Sequence, residues 1–161
     1  MRLTTRTSLA LRTLMFCAVN NDRIVRKYEI AERCNVSENH LAQVVNGLSH
    51  AGYLQTIRGR RGGMRLSRPM DAISVGAVAR SFEGGVPREG CFAGGTDDCT
   101  MHRACRLRGA LARAVSAFYK ALDDVTLADL VDCNDGLEEL LSLESQLPPG
   151  AAESACTTRA A

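Results

Sequence analysis

Residues 27–66, KYEIAERCNVSENHLAQVVNGLSHAGYLQTIRGRRGGMRL, decide the fold of this chain. A short helical segment and a longer one are separated by Asn35-Val36, with Ser37 as a natural N-cap of the second and Gly52 as its stop. A short helix, a tight turn and a longer helix with a polar face are the layout of a helix-turn-helix. The apolar side of the pair consists of Ile30, Ala31, Val36, Leu41, Val44, Val45 and Leu48.

The hydrophobic period then changes from helical to alternating. YLQTIR (53–58) and MRLSR (64–68) read as two strands around the turn GRRGG. Exposed hairpins are often basic for solubility alone, but a basic hairpin directly after a helix-turn-helix predicts a DNA-binding wing, because narrow minor grooves attract inserted arginine. The predicted DNA contacts in the second helix and the wing are Ser37, Asn39, His40, Gln43, Arg58, Arg60, Arg61 and Arg65.

Charge is distributed unevenly along the 161 residues. Residues 1–70 contain twelve Lys or Arg against four Asp or Glu, and the remainder contains eight against fourteen. The basic amino-terminal half is consistent either with a polyanionic partner or with an unevenly solvated surface. Charge therefore agrees with DNA binding without deciding it.

Composition limits the class of protein. An apolar content of 45% and a charged content of 24% are typical of a globular protein. No apolar run is long enough to span a membrane, and no signal peptide opens the sequence. The seven cysteines are odd in number, so we expect reduced thiols and metal ligands rather than disulfides, in a cytoplasmic protein.

Three cysteines lie close together in the stretch CFAGGTDDCTMHRAC (91–105). Cys91, Cys99 and Cys105 are soft ligands, which favour an iron–sulfur cluster or zinc over calcium or magnesium. Three thiolates can hold three corners of a four-iron cluster and leave one iron open to a diatomic gas. Asp97, Asp98 and His102 are candidates for a fourth ligand, although a solvated loop histidine is the better explanation of His102.

A long helix is predicted after Cys105, with one apolar stripe over four turns. This stripe predicts packing against a second copy of the chain, the alternative being that it covers the core of a monomer. The stripe consists of Leu107, Leu111, Val115, Phe118 and Leu122. Further helices are predicted over residues 9–19, with Thr7 or Ser8 as the cap, over 73–82, and over the acidic stretch 126–143.

The predicted fold is thus mainly α: a winged helix-turn-helix with a two-stranded wing plus a long dimerisation helix. We divide it into a DNA-binding domain (1–84), a cluster-binding loop (85–106), a dimerisation helix with a C-terminal helix (107–145), and a disordered tail (146–161) that contains Cys156.

These stretches resemble the winged-helix iron–sulfur repressors, the superfamily that contains IscR, NsrR and RirA. The resemblance covers about residues 1–143, and its specific signature is the wing TIRGRRGGMRL followed by three cysteines before ACRLRGAL. The NsrR type, which senses nitric oxide, looks closest in SENHLAQVVNGLSHAGYL and LDDVTLADLV. The resemblance implies a homodimeric repressor that binds an inverted-repeat operator in double-stranded DNA.

Two positions depart from the family pattern. The IscR type has a histidine three residues after the third cysteine, where this chain has Arg108, so a 4Fe–4S cluster is expected rather than 2Fe–2S. In the NsrR type an aspartate from the partner subunit's first helix is the fourth ligand; the matching residue here is Ser8, a poor iron ligand. The cysteine spacing is similar to that of RirA.

The resemblance therefore implies a repressor gated by a cluster that senses nitric oxide, with three alternatives. The first is an iron-responsive, RirA-like regulator, and the second is a winged-helix regulator in which His102 completes a structural zinc site. The third is a metal-free redox-thiol regulator. An enzyme is not expected, because no nucleophile–base pair or substrate motif occurs in the sequence. The sequence leaves the operator and the natural signal open.

Overall fold

The computed structural model describes residues 3–84 and 105–143. Helices and strands follow one another in these residues as α1 (Thr5–Val19), α2 (Lys27–Cys34), α3 (Glu38–His50), β1 (Leu54–Ile57), β2 (Gly63–Leu66), a 3-10 turn (Met70–Ala72), α4 (Val75–Glu83), α5 (Arg106–Asp123), α6 (Leu127–Val131) and α7 (Asp135–Leu141). In the described part of the chain, no helix is long and apolar enough to cross a membrane.

The α2–α3 pair forms the predicted helix-turn-helix. Asn35 ends α2 in the left-handed conformation (φ 50°), which a non-glycine residue rarely adopts and which asparagine tolerates better than most. Ser37 caps α3, as predicted, because its hydroxyl accepts a hydrogen bond from the His40 N–H at 3.3 Å. The tight turn and the cap fix the angle at which α3 leaves α2.

Strands β1 and β2 form the predicted wing as an antiparallel pair with Leu54 opposite Leu66 and Ile57 opposite Gly63. Met64 also exchanges two backbone hydrogen bonds with Val25, at 2.9 and 2.8 Å, which fastens the wing to the segment before α2. A Cβ on Gly63 would lie 2.4 Å from the Val25 carbonyl oxygen, so this close approach requires glycine. The wing is therefore anchored at its base to the helix-turn-helix.

One hydrophobic core lies beneath α1, α3, the wing and α6. Its fully buried side chains include Phe16 and Leu14 of α1, Leu41 and Leu48 of α3, and Leu127 of α6. Cys17 belongs to this core, and burial raises the pKa of its thiol to about 12, so it is a protonated packing residue. Cys34 is half-buried and packs against the same core.

Helix α5 is joined to α4 at its C-terminal end. Arg80 of α4 pairs with both carboxylate oxygens of Asp123, and its guanidinium lies 5.0 Å from the centroid of the Tyr119 ring. Next to this pair, the Val75 N–H donates to the Val125 carbonyl at 2.9 Å, and the Ile73 carbonyl accepts from the Leu127 N–H at 2.8 Å. These contacts set the position of α5 relative to the DNA-binding helices.

The C-terminal segment returns to the helix-turn-helix. The buried Asn20 amide donates to the Leu141 carbonyl at 3.0 Å and accepts from the Leu143 N–H at 3.1 Å. Arg33 of α2 donates to the Leu140 carbonyl at the end of α7. Residues 140–143 are thereby fastened to α1 and α2.

Two local predictions are wrong. Helix α1 begins at Thr5 with Thr4 as its N-cap, instead of Thr7 or Ser8, because the Thr4 hydroxyl accepts from the Thr7 N–H at 3.2 Å. The stretch 126–143 is two helices rather than one, because Asp132 is extended and Cys133 is left-handed (φ 55°). The predictions for Cys91, Cys99, His102 and the tail fall outside the described residues.

Candidate DNA interface and cysteine loop

The exposed side of α3 is a polar stripe opposite its buried side. Asn39 and Gln43 are exposed, as the predicted reading role requires, whereas His40 is half-buried on the flank of the helix. Asn46 and His50 continue the stripe towards the C-terminus, and the His50 Nδ1–H donates to the Asn46 carbonyl at 2.8 Å. Sequence reasoning missed these two residues, although their three- and four-residue spacing from Gln43 places them on the same face.

The wing presents its arginines to solvent. Arg58, Arg60 and Arg61 are exposed at or beside the turn that joins β1 to β2. Arg65 is exposed on β2, and its Nε–H donates to Gln55 Oε1 at 3.0 Å across the strand pair. Gln55, which sequence reasoning also missed, therefore orients Arg65, and only the cross-strand register could have revealed it.

Helices α2 and α3 are also linked at the surface. The Lys27 ammonium lies 3.0 Å from Glu38 Oε2, at the first turn of α3, and both side chains are largely exposed. Exposed pairs of this kind contribute little to stability, about 0–1 kcal/mol. The pair reduces the positive charge on this flank of α3.

Of the three cysteines predicted to bind the cluster, Cys105 is the one that the structure describes. It is a free, half-buried thiol at the N-cap of α5, where no side chain caps the helix. Cysteine sulfur is a soft donor, which suits iron and zinc. The donor chemistry at residue 105 therefore fits an iron–sulfur cluster or zinc.

The other candidate ligands are not assembled within the described residues. No group of three His, Cys, Asp or Glu there could hold a metal ion, and Cys91, Cys99 and His102 fall outside them. Ser8 is half-buried in the first turn of α1, where its backbone N–H donates to the Thr4 carbonyl at 3.0 Å. The complete ligand set stays a prediction.

Cys133 differs from the expectation of reduced thiols. It lies exposed in the left-handed turn between α6 and α7 and is disulfide-bonded. The expectation of reduced thiols is therefore wrong for Cys133, whose exposed position makes its sulfur accessible to a second cysteine. Cys17, Cys34 and Cys105 are free thiols, as expected.

A two-stranded wing directly after a helix-turn-helix, with an exposed polar recognition face and exposed wing arginines, defines a winged-helix DNA-binding protein. The solved structures agree. CymR of B. subtilis, the global cysteine regulator, superposes with a TM-score of 0.64 at 28% identity over 81% of this chain and 96% of that one. T. potens IscR superposes with a TM-score of 0.63 at 24% identity, over 93% and 94% of the two chains, which supports the fold alone.

Sequence comparison identifies the family. The Rrf2 model, described as an iron-dependent transcriptional regulator, matches residues 3–133, and the chain belongs to this family. The HTH-type transcriptional regulator NsrR of Geobacillus kaustophilus is 41% identical over 88% of this chain and 97% of its own length. Protein aau3 of Rhizobium meliloti is 39% identical over 92% and 97%.

The predicted fold and the resemblance to NsrR-type regulators are thus confirmed. The chain is a DNA-binding transcriptional regulator and not an enzyme.

Removing charge from the wing should affect DNA binding differently from removing a base-reading side chain. Replacing Arg60 and Arg61 by alanine is expected to weaken binding to all sequences and to flatten its salt dependence, because phosphate contacts release counterions. Gln43→Ala should instead relax sequence preference by about 1–3 kcal/mol at one base pair. Fluorescence anisotropy at several salt concentrations, on operator and scrambled DNA, measures both effects. Unchanged affinity in the double arginine variant would refute a DNA-contacting wing.

Proposed function

We propose that the chain is a transcriptional repressor whose affinity for its operator is gated by an iron–sulfur cluster that senses nitric oxide. Cys91, Cys99 and Cys105 hold the cluster in the cytoplasm, and 4Fe–4S fits three thiolates better than 2Fe–2S. The operator is an inverted repeat read by a homodimer. The observation that carries the proposal is the position of Cys105 at the N-cap of α5, in a chain that belongs to the Rrf2 family.

The three thiolates would connect the two structural parts that a gate has to couple. The cysteine loop, proposed over residues 85–106, follows α4, which ends at Glu83, and includes Cys105, the N-cap of α5. Further along α5, Arg80 and Asp123 tie that helix back to α4. A loop closed on a metal centre would hold the start of α5 at one distance from the DNA-binding helices, and an open loop would release it.

When bound, a four-iron cluster held by three thiolates supplies one iron without a protein thiolate, at which nitric oxide can react. Release of Cys105 would then free the first turn of α5. Only a difference in DNA affinity between the loaded and the empty protein makes this a switch. A tenfold difference corresponds to about 1.4 kcal/mol, which is modest for a dimer.

The dimer would form through the apolar stripe of α5. Leu107 is 57% exposed, and Leu111, Val115 and Phe118 are half-buried in the single chain. Ala110, Ala112 and Ala114 flank the stripe, are exposed, and are small enough for a second helix to approach closely. Two copies of α3 related by a two-fold axis would then read half-sites about 34–36 Å apart.

Anaerobic purification followed by two titrations tests the proposal. We expect a coloured protein that binds its operator tightly and loses at least about tenfold in affinity, or ~1.4 kcal/mol, when nitric oxide is added. An iron chelator tests the RirA-like alternative, which the cysteine spacing favours: loss of binding with chelator but not with nitric oxide would support that alternative. A colourless protein with one zinc ion per chain would support the alternative of a structural zinc site. Equal affinity of loaded and empty protein would refute gating by the cluster.

A further inference from the structure

Arg6 lies on the surface of α1 in a position that the recognition helix and the wing do not account for. It is the second residue of α1, it is exposed, and the first turn of that helix contains no acidic residue. Its guanidinium carbon is 5.6 Å from the centroid of the Phe82 ring of α4. The aromatic ring therefore restrains the guanidinium of Arg6 to one region of the surface, beside Phe82.

That region is the flank of α3. The Phe82 ring packs against Gly47, where a Cβ would lie 3.2 Å from the ring atom Cζ and 3.8 Å from Nη2 of Arg6. Gly47 is one turn after Gln43 and next to Asn46, both of which belong to the exposed polar stripe. The Arg6 guanidinium thus lies directly beside the face of α3 that is expected to enter the major groove.

The first turn of α1 is itself held in place. Glu83 Oε1 accepts hydrogen bonds from the Thr4 N–H at 2.7 Å and from the Thr7 hydroxyl at 2.5 Å, one residue after Phe82. Phe82 and Glu83 therefore restrain both the side chain of Arg6 and the backbone that carries it. A guanidinium restrained in this way loses less conformational freedom when it binds an anion.

The dimensions of the DNA major groove indicate which anion Arg6 would meet. The major groove of B-DNA is ~12 Å wide, and an α-helix with its side chains is about 10–12 Å across. A helix in the groove therefore places its exposed stripe against the bases and its flanks against the phosphates of the walls. The cavity beside Arg6, lined also by Gly47, Ala51, Ser81 and Phe82, has a volume of about 130 Å³. That is too small for a typical organic ligand, which needs ~300 Å³ or more.

We propose that Arg6 is a third DNA-contacting element, which binds a backbone phosphate on the wall of the major groove at the α1 flank of α3. The proposal rests on the reading role proposed for α3. It extends the interface to a helix outside the helix-turn-helix and the wing. The two residues that restrain Arg6, Phe82 and Glu83, lie at the end of α4, shortly before the cysteine loop.

The test is the salt dependence of operator binding by the cluster-loaded protein. Arg6→Ala is expected to weaken binding about fivefold to tenfold on operator and scrambled DNA alike, and to lower the salt slope by about 0.9 per subunit. Arg6→Lys should keep most of the slope. A matched control is Arg68→Ala, because Arg68 is also exposed and stacked on an aromatic ring, 5.1 Å from the Tyr53 centroid, but its Nε–H donates to the Gly52 carbonyl at the base of the wing.

The outcomes separate this proposal from the function on which it rests. An unchanged slope in Arg6→Ala, with a lower thermal midpoint, would show a structural role and overturn the proposal. Equal losses of operator affinity in Arg6→Ala and Arg68→Ala would also overturn it, because the loss of one positive charge anywhere on the surface would then explain the effect. If Gln43→Ala and the wing variant have no effect either, the proposed use of α3 fails. If only Arg6→Ala has none, the contact alone fails.

Discussion

Replacing Cys105 by serine is expected to abolish the cluster and to lower operator affinity at least tenfold, or ~1.4 kcal/mol. Serine is a good N-cap, so α5 should still begin at Arg106, while the thiolate that binds iron is lost. The same loss is predicted for Cys91→Ser and Cys99→Ser. Visible absorption, iron content and DNA binding of the anaerobic protein measure the result.

Cys34→Ser is the matched control for these variants. Cys34 is also a free, half-buried thiol, but it lies at the end of α2, and burial raises its pKa, with Arg12 acting in the opposite direction. We expect this variant, and Cys156→Ser in the tail, to retain colour and operator binding. A coloured Cys105→Ser protein with full iron content would show that residue 105 is not a ligand.

Introducing a charge into the stripe of α5 should separate the subunits. Leu111→Glu would bury an unpaired carboxylate in the proposed interface, at a cost of about 3 kcal/mol or more, so the dimer dissociation constant should rise more than about a hundredfold. Operator binding should fall with it, because each subunit reads only one half-site. Analytical ultracentrifugation over a range of concentrations measures the first effect and anisotropy the second.

Arg113→Glu provides the comparison, since it places glutamate on the same helix at an exposed position off the stripe. This variant should remain dimeric. A Leu111→Glu protein that sediments as the wild type does would refute dimerisation through α5, and a monomeric wild type that binds its operator tightly would refute the dimer itself.

Much of the fold could be predicted because its signals are local. The turn at Asn35, the cap at Ser37 and the alternating strands of the wing each depend on residues within one turn or one hairpin. The cap of α1 could not be predicted in this way. Thr7 looked suitable, but its hydroxyl donates to Glu83, a residue of α4 that is distant in the sequence.

The site was predicted less completely than the fold, for the same reason. Exposed residues on α3 follow from helical spacing, and Asn46 and His50 should have been included with Gln43. The roles of Gln55 and Arg6 depend on contacts with residues of other elements. Gln55 contacts Arg65 and Arg6 contacts Phe82, and only the folded chain brings these pairs together. The cysteine motif was visible in the sequence, but the short spacing of three ligands along the chain does not determine their arrangement in space.

The contacts of Asn20 with residues 141 and 143 affect how chimeric regulators should be built. A hybrid that joins residues 3–84 of one relative to the C-terminal part of another would place Asn20 and Arg33 against a foreign segment. A buried amide that loses its partners costs about 1–3 kcal/mol. Exchanges of DNA specificity between relatives should therefore transplant the exposed stripe of α3 alone, or should carry residues 140–143 together with the helices that they touch.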